Sequence, residues 1–213
     1  MLSIEILENL RSTKSDNRRK AAKEIGEKNL EEFGEPLFEA LNLEMRKNTW
    51  ETKVEMIISL GKMRHLPSSG LIDSIVLNNN PHDMITYAAA QTYVRLKRQS
   101  INDAVPVINL LKNGGLSTVD GALLVLGVDR MLPPASQISE LITLGWDLHL
   151  HRDRVGYERN FVDPRYGLIL ACSGWDKKLT LPFLDHCLKT NPNEQRLNQT
   201  IENAKKGKYF ETR

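Results

Sequence analysis

With 213 residues, 40% of them hydrophobic and 26% charged, the chain has ordinary globular usage and enough length to bury a core without staples. Disorder and fibrous repeats are thereby excluded as the whole answer, and no run approaches the roughly 18 apolar residues of a membrane span. The 29 Lys and Arg against 27 Asp and Glu leave a net charge of +2, too even for a protein held to nucleic acid mainly by bulk charge.

The first predicted element is an aliphatic helix over Leu2 to Leu10, where Glu5 and Glu8 stand in place of a signal peptide's apolar run. Asp16 leads into a second helix ending at Ile25-Gly26. Aliphatic spacing returns from Pro36 to Leu43, and Asn48-Thr49 opens Trp50 to Gly61. The same alternation continues with Leu71 to Leu77, Met84 to Leu96 after Asp83, Ala104 to Leu111, and Asp120 to Gly127. Ile138 to Leu144, Asp163 to Trp175, Leu179 to Lys189 and Glu194 to Lys206 complete the set. Within each copy the period is helical: Val54, Ile57, Ile58 and Gly61 share a face, as do Ile85, Ala88, Ala89, Thr92 and Leu96. Small residues there permit close helix approach, and the terminal glycines suit left-handed C-caps. Asp163-Pro164 joins an N-cap carboxylate to a proline fixed for a first helical turn. Strand-like alternation is nowhere sustained. The expectation is an all-α chain of twelve helices in six pairs, the last pair a cap, in a single domain over 1–213.

One pattern recurs: a turn with Asp or Asn, then a helix of small and aliphatic residues ending in Leu-Gly or a similar pair. Gly26 and Gly61 are 35 positions apart, and another 35 reaches Leu96. Gly127 follows after 31 and Gly174 only after 47, which points to an insertion at about 147–162. A unit of this length, with Asp-Pro before its second helix, resembles HEAT repeats. The resemblance implies a HEAT-like α-α superhelix whose second helices line a concave side; an irregular all-α bundle is the alternative.

The inserted stretch 147–162 carries His149, His151, Arg152, Asp153, Arg154, Tyr157, Arg159 and Phe161, which suits contact with a partner. Histidines two apart without a placed third ligand do not make a tetrahedral metal site. Cys172 and Cys187 lie in apolar helical pattern and read as reduced, buried thiols, with one disulfide as the alternative. His186 beside Cys187 points about 100° away from it, so the two do not form a nucleophile–base pair. Gly114-Gly115 lacks the following Lys-Ser/Thr of a phosphate loop. No catalytic residue, cofactor or metal is expected, and the chain reads as a non-enzyme.

Charge is segregated: residues 11–23 sum to +5 and residues 24–44 to −6, either compensating faces or an acidic surface for a basic partner. On the second helices, the residues opposite the presumed core face are Glu55, Ser59 and Lys62, then Tyr87, Gln91 and Arg95. On the Asp163 helix they are Tyr166, Ile169, Leu170 and Ser173, expected to be buried beneath the insertion. Trp50 and Trp175 are read as packing anchors. The expected partner-binding set is Glu55, Ser59, Lys62, Tyr87, Gln91, Arg95, Arg152, Tyr157, Arg159 and Tyr166. A mixed lining of this kind suits protein recognition. The resemblance extends to small bacterial immunity proteins of the contact-dependent growth inhibition type, which implies a cytoplasmic binder of a toxin domain, commonly a nuclease. The rival is a HEAT-like nucleic-acid binder or alkylated-base DNA glycosylase, with Trp175-Asp176 in the site. A pigment lyase of HEAT-like form is a third possibility with no distinctive residue to support it.

Overall fold

The computed structural model describes residues 2–150 and 163–209. Among these there is no strand, and twelve α-helices follow one another: α1 (Leu2–Leu10), α2 (Ser15–Lys28), α3 (Gly34–Glu44), α4 (Trp50–Lys62), α5 (Ser69–Asn78), α6 (Met84–Lys97), α7 (Val105–Asn113), α8 (Leu116–Val128), α9 (Ala135–Gly145), α10 (Tyr166–Ala171), α11 (Lys177–Thr190) and α12 (Gln195–Lys205). Asp83 opens α6 as expected, its carboxylate accepting from the Thr86 amide at 2.8 Å. No helix among the described residues is long and apolar enough to cross a membrane. The chain divides into two compact units, Met1–Leu96 and Lys97–Arg213.

In the first unit, α1 packs on α2 and α3 on α4, while the like members α1·α3 and α2·α4 also pack on each other. The α2–α4 seam is built on a glycine and a hydroxyl. A Cβ at Gly26 would overlap Ser59, whose Oγ donates to the Ala22 carbonyl at 2.8 Å. The arrangement recurs between α4 and α6, where Gly61 faces Thr92 and Thr92 Oγ1 donates to the Ile57 carbonyl at 2.7 Å. In both seams the acceptor lies four residues before the glycine. The missing side chain lets two backbones approach, and the buried hydroxyl is satisfied by a carbonyl's second lone pair.

The second unit repeats the plan: α7 packs on α8, α11 on α12, and like members pack as α7·α9, α9·α11, α8·α10 and α10·α12. Its α8–α10 seam uses glycine on both sides. Gly127 faces Leu170, and a Cβ at Gly167 would lie 2.5 Å from the Leu123 carbonyl carbon and the Leu124 nitrogen. No side chain of any size fits there without moving α8.

The glycines are not the left-handed caps expected of them. Gly26, Gly61 and Gly127 are helical, and the left-handed residue comes three positions later: Asn29 (φ 50°), Arg64 (φ 52°) and Arg130 (φ 49°). The next amide then reaches back five residues, Leu30 to Ile25 (3.0 Å), His65 to Leu60 (3.0 Å) and Met131 to Leu126 (2.9 Å). The α12 end is the same with Ala204 in the glycine's place, Gly207 at φ 70° and the Lys208 amide on the Asn203 carbonyl at 2.9 Å. This is the Schellman closure, set in one register on four second helices. Two other expectations are corrected. The Asp120 copy begins earlier, at Leu116, and the Asp163 helix is short, Tyr166–Ala171, so that Gly174 lies beyond it, against Tyr209.

Candidate functional site

In the first unit the residues expected on an open face are exposed only in part. Lys62 is exposed and Glu55 half-buried, but Ser59 is wholly buried because it forms the α2–α4 seam. The free line of α4 is Glu51, Glu55, Ile58 and Lys62. On α6, Tyr87 is half-buried, whereas Gln91 and Arg95 are only 5% and 3% exposed. Their assignment to an open face is therefore corrected. The run Ala88-Ala89-Ala90 is wholly buried and small, so neighbours close in around most of the helix circumference.

Glu55 sits at the centre of a mixed-charge surface. Burial pushes its carboxyl up; Lys62, Lys23 and Arg19 pull it down, and Glu27 opposes them. The side chains of α2 and α4 thus share one field, with Lys23 pairing Glu27 at 3.7 Å and Arg19 pairing Asp16 at 3.2 Å. The acidic 24–44 block is not a single surface. Glu24 pairs Lys28 at 2.6 Å, Glu35 lies 3.4 Å from the His65 ring nitrogen, and Glu44 is wholly buried. Arg18 Nε and a terminal nitrogen each reach the Glu44 carboxylate at 2.8 Å, and Arg18 also donates to the Ser12 and Thr13 carbonyls. Burial raises the Glu44 carboxyl, but hydrogen bonds from Arg18, Thr49 and Lys47 overcome it and hold the group at about 2.

In the second unit Tyr166 is half-buried beneath the Arg196 guanidinium, 5.3 Å from its ring centre. Ile169, Leu170 and Ser173 are buried. Leu170 fills the space over Gly127, and Ser173 Oγ donates to the Lys208 carbonyl at 3.1 Å; most of the insertion expected to cover them, 151–162, lies outside the described residues. Arg152, Tyr157 and Arg159 lie outside the described residues, as do His151 and Asp153.

A polar cluster that the sequence did not suggest flanks that stretch. Asp163 and Arg165 form a fully buried pair at 2.6 Å, the same arginine donating to Thr190 Oγ1 at 2.9 Å. Nearby, the His186 ring stacks on Trp146 with centroids 4.6 Å apart and donates from Nε2 to the Trp146 carbonyl at 3.2 Å. His149 meets His186 edge-on; burial, and then Arg165, hold its imidazole below the usual range. Only the Asp-x-Arg spacing could have hinted at the buried pair.

Among the described residues no three His, Cys, Asp or Glu side chains are arranged to hold a metal ion. Cys172 and Cys187 are free and buried, and burial pushes both thiols up, Cys187 to about 12. Trp175 is a packing anchor, its Nε1 donating to the Met131 carbonyl at 2.8 Å, and Asp176 caps α11 by accepting from the Lys178 amide. Trp175 is buried, whereas Asp176 is exposed. Trp50, expected to be an anchor, is instead 50% exposed. Searches against protein-family models, curated proteins and solved structures give no match to this chain.

Proposed function

We propose that this chain is a HEAT-like helical-repeat protein that works without catalysis, by binding another protein, and that the partner is a bacterial toxin domain which it neutralises in the cytoplasm. The observation that carries the binding reading is the surface around Glu55. Long side chains of both signs, Arg19, Lys23, Glu27 and Lys62, surround a carboxylate already partly withdrawn from water. Such a surface gives directional, sign-matched contacts and steers encounter, whereas a phosphate backbone calls for several aligned cations of one sign. The repeated glycine–hydroxyl register between successive second helices supports the helical-repeat reading. The choice of a toxin rests on the resemblance in the sequence.

Growth protection tests the proposal. Co-expression with a toxin domain encoded beside this chain should restore growth, and the purified pair should bind stoichiometrically. Glu55→Arg should weaken that complex by about tenfold or more while leaving the melting temperature unchanged. Absence of protection, together with DNA binding that falls steeply with salt, would replace this reading with the nucleic-acid one.

A further inference from the structure

Three acids withdrawn from water are each answered by an arginine. Glu44 holds Arg18, Asp163 holds Arg165, and Asp129 accepts from Arg98 at 2.7 Å. Asp120 is different. It is half-buried in the second turn of α8, and no described residue donates to its carboxylate or pairs with it. Burial alone sets its proton affinity, raising the group to about 6. At neutral pH it remains mostly an anion, poorly solvated and without a counter-charge among the described residues.

Its position is as informative as its isolation. Among the α8 side chains only Asp120, Leu124 and Val128 escape full burial, and their four-residue spacing places them on one line. Below Asp120, therefore, the open line of α8 is aliphatic. In the same layer of this unit, Tyr166 on α10 is half-buried under Arg196.

We propose that Asp120, with Leu124 and Val128 beside it, is a docking point for a basic side chain of a protein partner, whose aliphatic stem lies along the two apolar residues. An arginine or lysine matches the spot because its methylenes cover apolar surface while its head supplies the missing charge. The inference rests on the protein-binding reading and adds to it a chemical identity for one contact.

Selection of twelve-residue peptides from a random display library against the whole chain tests it, with Asp120→Asn, which keeps shape and size, as the comparison. The wild type should enrich peptides carrying Arg or Lys next to an apolar residue. The best of these, synthesised, should lose about tenfold or more in affinity for Asp120→Asn, whose melting temperature should not fall. Recovery of no basic peptide, or the same peptides bound equally by Asp120→Asn, would overturn the inference. The two readings fail separately: loss of toxin protection with the basic peptides still selected strikes the toxin proposal, and toxin protection undiminished in Asp120→Asn with no basic peptide strikes this one.

Discussion

Glu44 in the first unit and Asp120 in the second are both carboxylates withdrawn from water, yet burial leaves them at opposite extremes. Glu44 is the more enclosed and is the stronger acid, at about 2, because Arg18, Thr49 and Lys47 all donate to it. Asp120 retains some exposure and is the weaker acid, at about 6, because burial raises it and no described residue donates to it. Burial raises both groups, and the supply of donors decides whether that rise is overcome. The two units also close their seams differently, with hydroxyl against glycine at Ser59 and Thr92 and with glycine against backbone at Gly167.

Removing a donor should therefore cost far more than removing an unanswered acid. Arg18→Ala strands a buried carboxylate and should destabilise the chain by about 3–5 kcal/mol in chemical denaturation at pH 7. Glu44 is held below its ordinary 4.5, so its contribution is present above that value and disappears as the pH falls through about 2. The Arg18→Ala cost should shrink along the same interval. A cost below about 1 kcal/mol at pH 7 would collapse the contrast.

The seam comparison gives the next largest effect. Gly167→Ala drives a methyl group into the α8 backbone and should cost about 1–3 kcal/mol, whereas Ser59→Ala, which loses one hydrogen bond to Ala22, should cost about 1 kcal/mol. Equal losses in thermal melts would mean that the two seams are not distinct in kind.

Asp120→Asn should act in the opposite direction. The folded-state value of about 6 lies above the ordinary 3.8, so the native chain binds a proton more tightly than the unfolded one. That contribution is complete below about pH 4 and is lost as pH rises through 6, leaving an unfavourable charge at neutrality. The variant should be more stable by about 1–3 kcal/mol at pH 7, with its advantage gone at pH 4. A variant no more stable at pH 7 would show that Asp120 is better solvated than its position indicates.

Capping gives the smallest effect. Asn29 sits at φ 50°, where glycine carries no steric penalty, so Asn29→Gly should change stability by only a few tenths of a kcal/mol, while Asn29→Val should lower it by about 1–2 kcal/mol.

The sequence by itself determined that the described residues are helical and where most of the helices lie. Leu2–Leu10 is found as read, the aliphatic runs at 36–43, 71–77 and 138–144 each lie within a helix, and the run at 104–111 does so except for Ala104, the residue before α7. Helical periodicity is a local property of consecutive residues, and it survives without knowledge of the neighbours. Only the tertiary structure decided which side of each helix is seam and which is open. Ser59, Gln91 and Arg95 are polar and read as outside, but a neighbouring backbone carbonyl makes the interior available to Ser59, and Gln91 and Arg95 are buried on α6. The partner of Glu44 is 26 residues away and belongs to another helix. Likewise, the isolation of Asp120 among the described residues is a fact about its surroundings in space. Charge compensation is fixed by distances in space, which no spacing along the chain encodes.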